Sequence, residues 1–210
     1  MSSAGQPVGR STAAGLDVLV RGRRMRRAFA STPVDDAVVV ELLDLARRAP
    51  SAGNTQSVSF LTLTDAAIDR YWETTLGPRR ATFRWPGLLA APVLVVPYVC
   101  PTDYVRRYGE SDKAGTGLGD AVDAWSVPYW WVDGGAAVQN LLLAVEARGL
   151  GACFFGQFDH EAGVRQAFGV PDDHRALGTV AIGHPAPDRP GRSSERRRPP
   201  IDDIVHRQRW

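Results

Sequence analysis

Four arginines fall within five residues near the start of the chain, in the run Arg23-Arg24-Met25-Arg26-Arg27. Guanidinium groups stay charged at any working pH, and their forked donors match the oxygens of a phosphate group. The run is therefore suited to hold a dianion. The structural alternative is a solvated basic turn or a nucleic-acid patch, because short basic runs are common in proteins.

A polar cluster follows the next predicted helix, in the run Pro50-Ser51-Ala52-Gly53-Asn54-Thr55-Gln56. Its side-chain amides both donate and accept hydrogen bonds, which suits the edge of a heteroaromatic ring. The alternative is a loop that only ends the helix, because Pro, Gly and Asn readily form turns. A cluster for a phosphate and a cluster for a ring edge together indicate a phosphorylated cofactor.

The order of these motifs resembles a known family. Arg-Arg-x-x-Arg-x-Phe, then Pro-Val, then Ala-x-x-Ala-Pro-Ser-x-x-Asn-x-Gln is similar to the N-terminal third of the nitroreductase family. The resemblance continues over 133–144, 149–156 and 177–185 and is weakest over 65–131. Members are FMN-dependent oxidoreductases that act as homodimers. The resemblance implies an α+β fold: a three-layer α/β/α sandwich with a mostly antiparallel central sheet, in an intertwined homodimer.

The resemblance also implies where FMN would bind. It assigns the phosphate to Arg23, Arg24 and Arg27. Met25 stands where the family often has Ser or Thr, so only its backbone could contribute. A late basic residue, Arg196 or preferably Arg198, would close the site, although a lone basic tail is otherwise expected to be disordered. The other expected cofactor contacts are Pro50, Ser51, Asn54 and Gln56 in the polar loop, and Phe155, Gly156 and Gln157 after a predicted strand.

Two further interpretations concern the reacting face of the flavin. Gly156 lets a ligand approach the backbone closely, and its N–H could face flavin N5; the alternative is a glycine that only ends a strand. Trp125 and Tyr129 are candidates for the substrate site, although aromatic clusters more often belong to a core or an interface. We expect no catalytic side chain, because the flavin would carry the chemistry.

Composition narrows the class of protein. With 210 residues, 23% charged and 44% apolar, the chain is typical of one soluble globular domain. A net charge of +2 does not favour nucleic acid as a partner, and no apolar run is long enough to cross a membrane. Two cysteines indicate a reducing cytoplasm. The four histidines show no metal-ligand spacing, so no metal is expected: His160, His174, His184 and His206.

Hydrophobic periodicity and turn residues predict the elements that must position these residues. Strands are predicted over 58–64, 93–96, 152–155 and 179–182. Helices are predicted from Asp35 or Asp36 to Arg48, and over 66–76, 133–148 and 160–168. Residues 101–129 have little periodicity and are predicted to form a long loop. We therefore expect a flexible arm over 1–15, an FMN-binding domain over 16–185 and an extended basic tail over 186–210.

The expected reaction follows from the resemblance. NAD(P)H would pass hydride to flavin N5, and a small-molecule acceptor such as a nitroaromatic or a quinone would then take the electrons at the same face, which implies ping-pong kinetics. A second hypothesis keeps the fold and the flavin but assigns a different reaction on a specialised metabolite: heterocycle oxidation, dehalogenation or flavin fragmentation. A third is a non-catalytic basic binding protein. The choices between NADH and NADPH, and between FMN and a deazaflavin, stay open.

Overall fold

The computed structural model describes residues 10–188, 191 and 195–210. Residues 1–9 of the expected arm and residues 189, 190 and 192–194 of the expected tail lie outside the described residues. Within these residues, six α-helices follow one another in chain order: α1 Arg10–Gly22, α2 Asp36–Ala46, α3 Ala66–Leu76, α4 Pro101–Tyr108, α5 Tyr129–Ala147 and α6 Glu161–Phe168. The strands are β1 Ser59–Leu63, β2 Val93–Val99, β3 Gly151–Phe155, β4 Arg175–Ala176 and β5 Thr179–Gly183.

The strands form one sheet in the order β1-β2-β5-β3, with the short β4 pairing beside β5 on the end of β2. Every strand pair in this sheet is antiparallel. The register places Leu94 opposite both Leu63 of β1 and Ala181 of β5. The expectation of a mostly antiparallel central sheet is therefore confirmed.

Both faces of the sheet are covered by helices. Val93 and Val95 of β2 pack in one core with residues of α2 and α5, whereas Leu94 and Val96 pack in a second core with residues of α3 and α6. Successive strand side chains point to opposite faces, so a strand buried along its whole length must serve two cores. The α/β/α layering is confirmed.

Helix α2 illustrates how local sequence builds these layers. Asp35 accepts a hydrogen bond from the Ala37 N–H at 2.8 Å and so caps the helix at its start. Val39, Leu42 and Ala46 recur on one face and are buried against α5. The predicted bounds of α3 and the positions of β1, β2, β3, β5 and α6 are also confirmed.

Two predictions about irregular segments are wrong. Helix α1 begins at Arg10, so residues 10–15 of the expected arm are helical, and Gly15 lies inside the helix. Residues 101–108 form helix α4 rather than loop: Pro101 starts the helix, Asp103 lies in its first turn, and two arginines lie in its last turn. Eight residues are too few for periodicity to reveal it. Within the described ranges, no helix is long and apolar enough to cross a membrane.

Candidate functional site

The arginine run over 23–27 and the basic C-terminal tail line one cavity. Its volume is about 1270 Å³, and it lies between the end of α1, the run after it and the C-terminal tail. Among the described residues, eight arginines line it: Arg21, Arg23, Arg24, Arg26, Arg27, Arg196, Arg197 and Arg198. Sequence reasoning selected five of the eight and missed Arg21, Arg26 and Arg197. The fold thus unites segments that lie about 170 positions apart along the chain.

The N-terminal run is held along the edge of the sheet beside β3. The Arg26 N–H donates to the Ala152 carbonyl at 2.8 Å, and Met25 forms a parallel bridge with Ala152. The Met25 sulfur accepts a long hydrogen bond from the Phe154 N–H at 3.4 Å. The Met25 side chain therefore serves packing and offers the cavity no donor. These contacts hold the backbone of the run in place and so position its arginines.

The three arginines expected at a phosphate have different environments. A buried Nη1 of Arg23 has no hydrogen-bond partner among the described residues. Arg24 instead donates to the carbonyls of residues 21–23 at 2.6–3.1 Å and so covers the end of α1. The Arg27 guanidinium lies 5.3 Å from the centre of the Trp85 ring. A buried, unpaired guanidinium donor costs free energy, and an anion in the cavity would satisfy it.

Two carboxylates also line the cavity, Asp17 and Asp188. Asp188 accepts a hydrogen bond from the backbone N–H of Arg27 at 2.6 Å, which ties the start of the tail to the arginine run. Eight guanidinium groups against two carboxylates leave a strong positive charge. The cavity is therefore suited to an anionic ligand with several acceptor oxygens.

The polar loop after α2 has an unusual backbone. Gly53, Asn54 and Gln56 all have positive φ angles, of 61°, 55° and 55°. The Gln56 N–H donates to the Ser51 hydroxyl at 3.0 Å, and the Gln56 side-chain amide donates to Asn54 at 2.9 Å. Backbone of this kind is costly for residues other than glycine and is often kept at functional sites. Asn54 and Gln56 are exposed, as a ligand-binding edge requires.

Helices α4 and α5 support this loop. The buried carboxylate of Asp133 accepts hydrogen bonds from the Ala52 N–H and the Tyr104 hydroxyl, both at 2.8 Å. Burial, followed by the hydrogen bond to Asp133, raises the pKa of Tyr104, so its hydroxyl stays a donor. Arg107 donates to the Gly53 carbonyl at 2.8 Å and pairs with Asp112. Sequence reasoning missed these supports; the one signal was a carboxylate near the start of the mostly apolar helix α5.

Within one chain, the polar loop and the arginine cavity are separate. The loop borders its own cavity of about 100 Å³, shared with Asp133 and Ala137. Pockets for small organic molecules usually measure about 300–1,000 Å³, so this one is too small to hold a heteroaromatic ring. The two cavities share no lining residue, and the expected contact of both clusters with one cofactor stays a prediction. The loop follows the C-terminal end of α2, whereas the arginine run lies beside β3.

At the end of β3 and just after it, the side chains of Phe155 and Gln157 pack within the fold. The Phe155 ring stacks on Trp72 with centroids 5.8 Å apart, and the buried Gln157 amide donates to Thr179 at 3.0 Å. These two side chains therefore pack within the fold, and their expected cofactor contacts, which could be made only through the backbone, stay predictions. Gly156 is exposed, and a Cβ built on it would lie 2.7 Å from the ring of Phe158. Phe158 itself is 86% exposed.

The aromatic cluster before α5 is a small core. Trp125 is buried against Tyr104 and Trp130, and its indole N–H donates to the Leu118 carbonyl at 2.9 Å. The Trp125 side chain therefore packs in this core, and its place at the substrate site stays a prediction. Tyr129 is 44% exposed at the start of α5 and stays a candidate.

Comparisons with known proteins identify relatives of this chain by sequence. A 4-nitrobenzoate reductase from Nocardioides sp. is 29% identical over 222 residues, covering 90% of this chain and 88% of the relative. A 5,6-dimethylbenzimidazole synthase from Rhodospirillum rubrum is 30% identical over 191 residues, covering 84% of each.

Solved structures share the fold. A protein from Desulfovibrio desulfuricans, solved in complex with FMN, matches with a TM-score of 0.65 and 23% identity, covering 91% of this chain and 95% of the other. A nitroreductase-like family protein from Bacillus cereus matches with a TM-score of 0.68 and 16% identity, covering 97% and 98%. The model of the nitroreductase family matches residues 20–184. This chain therefore belongs to the nitroreductase family.

Proposed function

We propose that this chain is an FMN-dependent NAD(P)H oxidoreductase that reduces a nitroaromatic, a quinone or a similar conjugated acceptor. The observation that carries the proposal is the arginine-lined cavity, in which the buried Arg23 Nη1 has no acceptor among the described residues. A phosphate would satisfy that donor. Support for FMN also comes from the fold neighbour solved with FMN, and support for the reaction from the relative named 4-nitrobenzoate reductase.

Each element has a role in this proposal. Arg23, Arg27 and the tail arginines would hold the phosphate, with Arg198 or its neighbours closing the cavity. Arg24 contributes mainly by fixing the end of α1. Asn54 and Gln56 would contact the ring edge, and Gly156 allows a close backbone approach. When bound, FMN supplies hydride transfer between NAD(P)H and the acceptor, so the chain has to bind, orient and shield it.

The visible absorbance spectrum of the purified protein tests this proposal first. We expect a flavin spectrum and the release of near-stoichiometric FMN on denaturation, followed by oxidation of NADH or NADPH when a nitroaromatic or a quinone is supplied. Release of a deazaflavin would change the proposed cofactor but not the proposed site. A colourless protein that also fails to bind added FMN would refute the proposal and favour the non-catalytic binding hypothesis.

The similarity to a 5,6-dimethylbenzimidazole synthase favours a second candidate, in which the same flavin site serves a specialised metabolite. The two candidates differ in their use of NAD(P)H. A flavin-loaded protein that oxidises neither NADH nor NADPH, with acceptors present, would favour the second candidate over the first.

We also propose that the chain acts as a homodimer in which each cofactor contacts both protomers. The separation of the polar loop from the arginine cavity within one chain supports this arrangement. Apolar side chains exposed on the outer helices support it too: Leu16, Val18 and Val20 on α1, and Trp131 and Val132 on α5. A second copy could cover these residues and bring its own polar loop to the arginine cavity.

Mixed dimers of two inactive variants should recover activity. An Arg27→Ala protomer paired with an Asn54→Ala protomer would keep one site in which both contacts are intact, provided that the run comes from one chain and the loop from the other. We expect FMN binding at about half of the sites after co-expression and tandem-tag purification, against little in either variant alone. Mixed dimers that bind FMN as weakly as the two parent variants would show that both contacts belong to one chain.

A further inference from the structure

A cysteine, an aspartate and a histidine meet at the end of β2, away from the arginine cavity. Their candidate ligand atoms, the Cys100 sulfur, an Asp173 carboxylate oxygen and a His174 ring nitrogen, all lie within 4.8 Å of one another. Within the part of the chain that the structure describes, no other set of three such residues comes as close. None of the three has a part in the proposed flavin site.

The sheet itself creates this cluster. Strand β4 pairs antiparallel with β2, with Val99 opposite Arg175. The residues one step further on, Cys100 and His174, are therefore set across from each other. Because Cys100 and Asp173 are 73 positions apart along the chain, spacing in the sequence could not reveal the cluster.

The side chains already interact. The Cys100 thiol lies 3.5 Å from an Asp173 oxygen and 3.0 Å from the Thr102 hydroxyl, and the His174 Nδ1 lies 2.8 Å from the other Asp173 oxygen. The hydrogen bond from His174, with a smaller contribution from Cys100, holds the pKa of Asp173 below its ordinary value.

From this arrangement we propose that Cys100, Asp173 and His174 form a binding site for a divalent cation of the zinc class. Thiolate, imidazole and carboxylate are the three ligand types that zinc prefers, and three protein ligands leave a fourth position for water. Tetrahedral zinc ligands lie roughly 3–4 Å apart, so the side chains need to move by only about 1 Å. Binding would displace the thiol proton and form the metal–sulfur bond.

The thiol side of the site is buried, whereas the carboxylate and imidazole side is partly open to solvent. Cys100 is 2% exposed, whereas Asp173 and His174 retain side-chain exposures of 50% and 26%. A cation could therefore enter past the carboxylate and reach the thiol. Cys100 also exchanges two backbone hydrogen bonds with the Ser57 hydroxyl, directly after the polar loop. A bound cation would brace the junction of β2, α4 and this loop.

Equilibrium dialysis against zinc, followed by elemental analysis, tests the proposal on the full chain. We expect about one zinc per wild-type chain, and at least a tenfold loss of affinity in Cys100→Ser and in His174→Ala. The matched controls are Cys153→Ser, at the other buried cysteine, and His184→Ala, at an exposed histidine, and both should bind as the wild type does.

Cobalt gives an independent readout. The cobalt-loaded protein should show a thiolate-to-cobalt absorption band that Cys100→Ser removes and Cys153→Ser keeps. Because the His174 side chain is partly exposed, the His174→Ala variant should still fold. Its thermal unfolding temperature should no longer rise when zinc is added. Equal zinc binding in wild type and His174→Ala, or cobalt binding with no thiolate band, would overturn the proposal and leave the cluster as a hydrogen-bonded tie between β2 and the loop before β4.

Discussion

Replacing Arg23 and Arg27 together with alanine should lower the affinity for FMN by more than about a hundredfold. A hydrogen bond to a charged group contributes roughly 1.5–3 kcal/mol, so the loss of two is worth about 3 kcal/mol or more. The structural basis is the cavity that both residues line and the buried Nη1 of Arg23, which has no hydrogen-bond partner in the described part of the chain. Fluorescence titration of the apoprotein with FMN measures the change.

The choice of ligand and of control makes this test specific. Riboflavin has the same ring system without the phosphate, so its affinity should change little in the double variant. Arg106→Ala removes an arginine that is exposed and paired with Asp103, outside the cavity, and should bind FMN as the wild type does. Arg23→Lys should fall between wild type and alanine, because lysine keeps the charge but loses the fork. Equal loss of FMN and riboflavin would contradict a phosphate site here.

Replacing Asp133 with alanine should cost about 3 kcal/mol of unfolding free energy, because it leaves one partly buried and one buried donor without their acceptor. Those donors are the Ala52 N–H and the Tyr104 hydroxyl. The polar loop should loosen as a result, and FMN should bind more weakly. Urea denaturation at neutral pH measures the first effect and FMN titration the second.

A double variant separates a lost partner from general damage to α5. Tyr104→Phe removes one of the two stranded donors, so adding it to Asp133→Ala should cost less than the sum of the two single variants. Asp123→Ala, at an exposed carboxylate in the segment before α5, should change stability little. Strictly additive losses would show that Asp133 and Tyr104 do not stabilise the fold through their contact.

Local sequence determined most of the elements. Helix α3 was predictable to the residue, because an amphipathic run is stopped by Gly77 and Pro78. Strand β2 was predictable from its continuous apolar content, and the cap of α2 was predictable as Asp35 or Asp36, of which Asp35 caps the helix. Short elements escaped prediction: α4 has only eight residues, too few for a periodic signal to stand out from its charged neighbours.

The sequence by itself also determined the family and the arginine run, because both are carried by residues close together in the chain. Only the tertiary structure decided which distant groups meet. It joined the tail arginines to Arg23 and Arg27, separated the polar loop from their cavity, and set Cys100 against His174. The physical reason is that strand register and helix packing fix such contacts across the fold, whereas propensity and periodicity act only between neighbours along the chain.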